Sequence, residues 1–310
     1  MITLFQYYRI AAAFLIVMIH QQFWKPCGFI DGLESCAVPL FACMAGYLYK
    51  GGLLKKVPRV IIPYLLWAVI YFVANNLILD VFVRHESFAF PGLKSWLLGG
   101  TACHLWFLPS LFACFALTSL LSHLAKSTNP LTSITLNFIL LALGIASQWL
   151  PGETSATLLG YCRIYFGRLL LFFAIGRIIS QFLSPTPTLN SNLNPLTIQI
   201  LGGGAIMLGL ANLALRFIPS LAFQPILFVV GLILLAIGLG EFKIPKFVSN
   251  LANATMGIYL VHVLFTSVAN VVLTKIVHAT LSAFTALPLL LVIFMVCYIV
   301  IRFLPKGMKG

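Results

Sequence analysis

The sequence is dominated by apolar stretches that are long enough to cross a membrane as a helix. Windows of about 18 to 23 mostly apolar residues recur from one end of the chain to the other. The chain is 61% hydrophobic and 8% charged, with a mean hydropathy of +1.05, which excludes a soluble globular domain. The alternating pattern of a membrane β-barrel is absent, whereas helices satisfy their own backbone hydrogen bonds in hydrocarbon. The sequence therefore predicts an all-α protein that crosses the membrane many times.

The apolar windows predict about ten transmembrane helices in a single integral-membrane domain, residues 1–310, with no soluble domain. The predicted spans lie near residues 3–24, 33–50, 60–83, 104–125, 131–150, 157–183, 196–217, 222–240, 251–275 and 283–304. A polar connection near 184–195 separates the first six spans from the last four. The segment 84–103 is too short and too interrupted to span, so we expect an interfacial helix on the outer surface.

Lysine and arginine residues are unevenly divided between the two sides of the predicted membrane. Eleven of them follow even-numbered spans or lie near the C-terminus, against five on the opposite side. Because cytoplasmic loops are enriched in basic residues, both termini are predicted to lie in the cytoplasm, with the chain in the cytoplasmic (inner) membrane. The formal net charge of +13 is spread over the membrane edges, which favours anionic lipid of the bilayer and argues against a nucleic-acid partner.

The stretch RIAAAFLIVMIH in the first span places Arg9 and His20 at the two ends of ten apolar residues. At about 100° per residue the two side chains return to within about 20° of one helix face, about 16 Å apart along the axis. Ionisable groups at membrane depth cost a few kcal/mol, so they indicate a functional site. The predicted topology puts Arg9 in the cytoplasmic half and His20 in the outer half. His20 is either a general base or a histidine that is hydrogen-bonded between helices.

Two acidic residues, Asp31 and Glu34, fall on the outer side, near the predicted end of the first helix. A carboxylate there would hold the second nitrogen of the His20 imidazole and so orient a catalytic base. The alternative is that both are solvated loop acids, and this alternative is weaker for Glu34. We therefore take His20 and Glu34 as the candidate catalytic pair.

Four further residues on the outer side are candidates for binding a substrate. His104 and Trp106 lie in HLWFLP at the edge of the fourth span, where Trp106 is either a substrate contact or an interfacial anchor. Arg163 and Arg168 enter the sixth span from the outside. Because five residues turn a helix by about 500°, the two arginines lie about 140° apart. We expect one of them to face a polar cavity while the other extends towards the membrane surface.

A basic cluster of Lys55, Lys56 and Arg59 precedes the third span on the cytoplasmic side. Such a cluster either follows from ordinary positive-inside topology or holds the phosphates of a cytosolic cofactor, to which arginine offers bidentate hydrogen bonds. His262, in GIYLVH, is predicted near the middle of the ninth span. For this histidine a hydrogen bond between helices is the favoured interpretation.

The seven cysteines show no spacing typical of a metal site, and the sequence predicts no metal. Cys27, Cys36 and Cys103 fall on the outer side, where a disulfide is chemically permitted. Most cysteines in membrane proteins are small apolar fillers, so we expect free thiols.

Five motifs occur along the chain in the order RIAAAFLIVMIH, VPLFACMAGYLYK, KVPRVIIPYLLW, HLWFL and GIYLVH. In these motifs the chain resembles acyltransferase family 3, membrane proteins that O-acylate cell-surface polysaccharides, lipids and antibiotics. Two positions depart from the family pattern. Ala45 stands where many relatives have serine before a glycine, and Lys56 replaces the first arginine of a common Arg-x-x-Arg pair.

The resemblance implies an acyl-CoA donor, in particular acetyl-CoA, that approaches from the cytoplasm and is bound by Arg9, Lys56 and Arg59. The acceptor would be a hydroxyl of a cell-surface or lipid-linked saccharide on the outer side, with His20 as the base. Two other classes fit the same composition. One is a transporter or flippase for a saccharide or lipid-linked saccharide, against which we see no repeated pattern between the halves. The other is a related membrane module that binds without turnover.

Overall fold

A computed structural model describes residues 2–22, 28–74, 96, 101–125, 129–151, 157–183, 193–215, 223–277, 281–305 and 308. Within these residues the chain is helical and has no strand, so the all-α prediction is confirmed. The α-helices are α1 Leu4–Ile19, α2 Gly28–Ser35, α3 Ala37–Tyr47, α4 Ile62–Phe72, α5 Phe107–Ala125, α6 Pro130–Ala146, α7 Leu158–Tyr161, α8 Arg168–Leu183, α9 Pro195–Leu215, α10 Ile226–Leu239, α11 Lys246–Asn270 and α12 Ala283–Phe303. Short 3-10 and π-helical stretches adjoin them at Leu53–Lys56, Val57–Ile61, Ser147–Trp149, Cys162–Gly167 and Val271–Ile276.

Seven helices in the described part of the chain are long and apolar enough to cross a membrane. They are Gly28–Tyr47, Phe107–Ala125, Leu131–Trp149, Leu158–Leu183, Pro195–Leu215, Lys246–Leu273 and Thr285–Phe303. Two shorter apolar helices, α1 and α10, coincide with two more of the predicted spans. The multi-pass membrane class is thus confirmed, while the count of ten and the cytoplasmic termini stay predictions.

Two helices begin earlier than the hydropathy of the sequence predicts. The second apolar helix starts at Gly28 instead of residue 33, and α11 starts at Lys246 instead of residue 251. The added turns carry polar residues such as Asp31 and Asn250, which lower local hydropathy without preventing a helix. As a consequence Glu34 lies well within the helix and not in its first turn.

Two predictions fall largely on residues that the structure does not describe. The interfacial segment 84–103 is described only at Trp96 and from residue 101 onward, and the connection 184–195 only from residue 193. The far end of the third predicted span, beyond residue 74, also lies outside the described residues.

The first helix lies inside the bundle and not at its edge. Helix α1 contacts α2, α3, α10, α11 and α12, and its residues Phe5, Ala12, Ala13 and Val17 are fully buried. The small residues at the middle of this face allow neighbouring helices to approach closely. The helix that carries Arg9 and ends beside His20 is therefore surrounded by protein on most sides.

Helices α3 and α8 cross in backbone contact at a pair of glycines. A methyl group added at Gly46 would overlap the carbonyl oxygen of Phe173, and one added at Gly176 would overlap that of Cys43. Small residues at such crossings give van der Waals contact that larger side chains prevent. The crossing therefore brings α3, which follows the helix of Glu34, into contact with α8, which begins at Arg168.

Candidate functional site

The largest set of predicted site residues surrounds one cavity of about 210 Å³, which we call the His20 cavity. Its walls are Ile16, Ile19, His20, Glu34, Ser35, Val38, Pro39, His104, Trp106, Phe107, Ile164, Tyr165, Arg168, Leu169, Phe172 and Tyr259. Five of the sequence candidates are therefore brought together, although they come from four separate parts of the chain. Arg163 is the exception among the outer-side candidates, since it is exposed and does not line this cavity.

Glu34 and Arg168 line this cavity, and each has a buried polar atom without a partner in the described part of the chain. Glu34 is 8% exposed, and its Oε1 accepts no hydrogen bond from any described residue. Arg168 donates from Nη2 to the carbonyl oxygen of Ser35 at 3.1 Å, while its Nε has no partner in the described part of the chain. Buried polar atoms are almost always paired. An unpaired acceptor and an unpaired donor on residues that line one cavity suit a ligand that both gives and takes hydrogen bonds.

An aromatic wall adjoins these polar groups. The ring of Trp106 stacks on that of Tyr165, with centroids 4.3 Å apart and an interplanar angle of 23°. Tyr161 packs edge-on against Tyr165 at 5.4 Å, and its hydroxyl forms a hydrogen bond of 2.7 Å with that of Ser110. Because Trp106 is stacked and lines the cavity, the structure places it where it can contact a ligand.

His20 directly follows α1 and lies in a cluster of three histidines. Its ring centroid is 5.9 Å from that of His104 and 5.1 Å from that of His262, and the latter two are 5.2 Å apart. Nδ1 of His20 lies 3.8 Å from Sγ of Cys103. Within the described residues, no group of three or more possible ligands is arranged to hold a metal ion. No hydrogen bond between His20 and Glu34 is present there either.

The end of α1 is held by Asn270, which sequence reasoning missed. The Nδ2 of Asn270 donates to the carbonyl oxygen of His20 at 3.3 Å, and its Oδ1 accepts from the backbone NH of Gln22 at 2.7 Å. The last carbonyls of a helix have no partner within the helix, so this side chain stabilises the terminus. An asparagine inside an otherwise apolar span was the available signal, because polar side chains there seek partners on other helices.

A second cavity of about 160 Å³, the Arg9 cavity, lies on the other side of two aromatic residues. Its walls are Arg9, Phe41, Met44, Ala45, Leu48, Phe107, Leu111, Thr255, Met256 and Tyr259. Phe107 and Tyr259 line both cavities, and their ring centroids are 5.5 Å apart. Arg9 and His20 thus face the interior of the protein, in two cavities that share one aromatic partition.

The partition is held in place by hydrogen bonds to the histidine cluster. The hydroxyl of Tyr259 donates to the carbonyl oxygen of His104. The ring of His104 also packs edge-on against Tyr71, whose hydroxyl donates to the carbonyl oxygen of Leu260 at 2.8 Å. Tyr259 belongs to the GIYLVH motif, whereas Tyr71 lies in none of the five motifs.

The basic cluster before α4 lies around an aromatic pair. Nζ of Lys56 is 5.7 Å from the ring centroid of Tyr49 and 5.5 Å from that of Phe115. The guanidinium of Arg177 also lies 5.7 Å from the ring of Tyr49. Burial, and then the neighbouring charge of Arg59, lower the pKa of Lys56. Several cations that lie close together favour a bound anion.

The donor-side candidates are not all in one place. Arg59 is exposed, Lys56 is partly buried, and neither lines the Arg9 cavity. Arg177, which the sequence analysis did not name as a candidate, also lies beside Tyr49. It donates to the carbonyl oxygen of Tyr49 and, at 3.4 Å, to Oδ1 of Asn137.

The remaining sequence predictions concern the cysteines. Cys36 and Cys103 are free thiols, and Cys27 lies outside the described residues. The thiol of Cys36 donates to the carbonyl oxygen of Gly32 at 3.3 Å.

These features define a helical, multi-pass membrane protein with an interior polar site that is approached through two adjoining cavities. A family model described as an acyltransferase domain matches residues 5–303, which is essentially the whole chain. The chain therefore belongs to acyltransferase family 3, and the resemblance carried by the five motifs is confirmed. This membership supports a membrane acyltransferase. Comparisons with curated proteins and with solved structures gave no match.

Proposed function

We propose that the protein transfers an acetyl group from cytoplasmic acetyl-CoA to a hydroxyl of a cell-surface or lipid-linked saccharide that is presented from the outer side of the membrane. The observation that carries this proposal is the arrangement of Arg9 and His20. Arg9 lies within the buried helix α1 and His20 directly follows that helix, each lines a cavity, and the two cavities meet at Phe107 and Tyr259. Such an arrangement suits two substrates that enter from opposite sides.

The reaction would be a direct acyl transfer with His20 as general base. His20 takes the proton of the acceptor hydroxyl, and the oxygen attacks the thioester carbonyl. The tetrahedral intermediate then expels the CoA thiolate, which takes up the proton from His20, so that an ester and free CoA are formed. A positioned general base contributes about 10² to 10⁴ in rate.

The open polar atoms of the His20 cavity support a saccharide acceptor. A sugar hydroxyl can donate to Oε1 of Glu34, and a hydroxyl or ring oxygen can accept from Nε of Arg168. The stacked rings of Trp106 and Tyr165 offer an apolar face to the C–H side of a pyranose. Glu34 would then hold the acceptor beside His20.

The cations on the other side of the partition support a donor that carries phosphates. Burial, and then the neighbouring charge of Arg59, lower the pKa of Lys56, and a phosphate would offset both positive charges. Gln6 and Tyr8, on the same helix as Arg9, and Tyr47, on α3, have buried oxygens without a hydrogen-bond partner among the described residues. These groups suit the polar pantetheine part of CoA, and the thioester would pass between Phe107 and Tyr259.

The proposal is tested with purified protein in lipid nanodiscs, radiolabelled acetyl-CoA and a panel of para-nitrophenyl glycosides. In the wild type we expect the thioester to be consumed and labelled glycoside to form. In His20→Ala the rate of acetyl transfer should fall by at least about 100-fold. His123→Ala is the matched control, because His123 is an exposed histidine at the end of α5. Unchanged transfer in folded His20→Ala would remove the base assignment. Glycoside movement across a vesicle membrane without acetylation would instead favour the transporter.

A further inference from the structure

His262 lies against the candidate base and is completely buried. It belongs to α11, its side chain is 0% exposed, and its ring centroid is 5.1 Å from that of His20. Apart from His20, the titratable groups around it are His104, with a ring centroid at 5.2 Å, and Tyr259, at 6.1 Å. Beyond these, Tyr71 packs on His104, and the thiol of Cys103 lies at Nδ1 of His20. An imidazole in this position is close enough to influence the protonation of His20 directly.

The hydrogen bonds of His262 determine where its proton lies. Nδ1 is 2.7 Å from the carbonyl oxygen of Tyr259, and a carbonyl only accepts, so Nδ1 carries the hydrogen. In a neutral imidazole the other nitrogen, Nε2, is then an unprotonated acceptor. Nε2 is buried and has no hydrogen-bond partner in the described part of the chain. An acceptor that is buried without a donor is unfavourable, and such atoms are rare unless a function retains them.

The helix that carries His262 also fixes the main chain of His20. Asn270, two turns further along α11, bonds to the carbonyl oxygen of His20 and to the NH of Gln22. Thr266, between them, donates from Oγ1 to the carbonyl oxygen of His262 at 3.1 Å. Helix α11 therefore sets both the backbone position of the base and the surroundings of its ring.

We infer that His262 is a positioning residue for His20. The Nε2 of His262 accepts the N–H of the His20 ring nitrogen that does not take up the acceptor's proton, and this hydrogen bond stabilises His20 in its charged form. The inference rests on the proposed function, in which His20 becomes positively charged between proton uptake and release to the CoA thiolate. No bond to carbon is made or broken at His262. His104 is a weaker candidate for this role, because both of its ring nitrogens lack described partners and nothing determines which one is protonated.

The kinetic test compares two variants of similar size, His262→Gln and His262→Met. Glutamine keeps a hydrogen-bond acceptor beside His20, whereas methionine fills the space without one. We expect kcat to fall by about 10- to 100-fold in His262→Met, the usual effect of a lost hydrogen bond to a charged group, with KM for acetyl-CoA unchanged. His262→Gln should lose only a few-fold. A residue that merely packs would give the reverse order, since methionine is the better apolar filler.

The pH–rate profile separates positioning from stability. Without an acceptor the charged form of His20 is less favourable, so the acid limb of the profile should move to lower pH in His262→Met and stay in place in His262→Gln. Thr118→Val is the matched control, because Thr118 is a buried polar residue of α5 that lines neither the His20 cavity nor the Arg9 cavity. Equal profiles for all variants, or a kcat for His262→Met at or above that of His262→Gln, would overturn the inference.

A spectroscopic measurement decides the arrangement without turnover. The chain has six histidines, so protein labelled with ¹⁵N only in histidine gives a small set of NMR signals. The signal that disappears in His262→Gln is the signal of His262. We expect the tautomer with hydrogen on Nδ1, and hydrogen on Nε2 would contradict the inference. If the wild type transfers no acetyl group to any glycoside, the proposed function fails. If the wild type is active and the variant order is reversed, only the role of His262 fails.

Discussion

At the scale of single residues, the His20 cavity combines groups of different chemistry at short range. His20 lies in the histidine cluster, Glu34 offers a buried oxygen, and Arg168 is anchored to the carbonyl of Ser35. A buried carboxylate without a partner costs more than an exposed one, because it loses hydration without gaining a hydrogen bond. The bound acceptor would supply that missing donor.

Replacing Glu34 tests whether its side chain contacts the acceptor. In Glu34→Gln the shape is kept but the charged acceptor is lost, so we expect KM for the saccharide to rise about 10-fold, as a charge-assisted hydrogen bond of about 1.5 kcal/mol would require. KM for acetyl-CoA should be unchanged. Asp31→Asn is the control, since Asp31 is an exposed acid on the same short helix. If both substitutions raise KM for the saccharide equally, the effect comes from the loss of a negative charge, and Glu34 does not contact the acceptor.

At the scale of helices, the site depends on backbones that touch. The crossing of α3 and α8 at Gly46 and Gly176 brings the end of α2 close to the beginning of α8. Helix α11 holds the end of α1 through Asn270. Membrane helices gain little from hydrophobic burial against lipid, so close packing and hydrogen bonds between helices decide their positions.

Gly46→Val is expected to destabilise the protein, because its side chain would overlap the carbonyl of Phe173 and force α3 and α8 apart. Overpacking of this kind costs about 1 to 3 kcal/mol. The midpoint of thermal unfolding in detergent, followed by tryptophan fluorescence, should fall. The control is Gly203→Ala, since nothing lies within 4 Å of a methyl group placed there. A midpoint equal to that of the control would show that the crossing tolerates a larger side chain.

At the scale of the whole molecule, the mechanism requires that the protein has one fixed orientation in the membrane. The His20 cavity lies at the end of α1, the Arg9 cavity adjoins it nearer the beginning of that helix, and the basic residues Lys56 and Arg177 lie around Tyr49. If the positive-inside rule holds here, that basic region meets cytoplasmic acetyl-CoA. The aromatic partition would then keep the two aqueous sides apart.

Cysteine labelling of intact cells tests this orientation. In a chain whose seven cysteines have been replaced, Lys55→Cys should react with a membrane-impermeant maleimide only after permeabilisation. Asp31→Cys should react in intact cells. Both positions are exposed in the structure, so poor access does not explain a missing signal. The opposite labelling pattern would reverse the topology and remove the proposed donor side.

The sequence located the polar residues of the first helix well, because helical spacing is a local property. Ten apolar residues between Arg9 and His20 suffice to place both on one face. Composition likewise predicted helices in a membrane, and five ordered motifs indicated the acyltransferase family. The predicted helix starts were less accurate. Hydropathy detects only the apolar part of a helix, whereas α2 and α11 begin with additional turns that carry polar residues.

The sequence by itself determined the membrane class, the family and the pairing of residues within one helix, since each depends on composition or on neighbours a few positions away. Only the tertiary structure decided that Arg168 and not Arg163 lines the cavity, and that His262 and Asn270 lie beside His20. The last of these contacts joins residues 250 positions apart. Such contacts depend on how whole helices pack, and local periodicity says which face of a helix is polar but not which helix it meets.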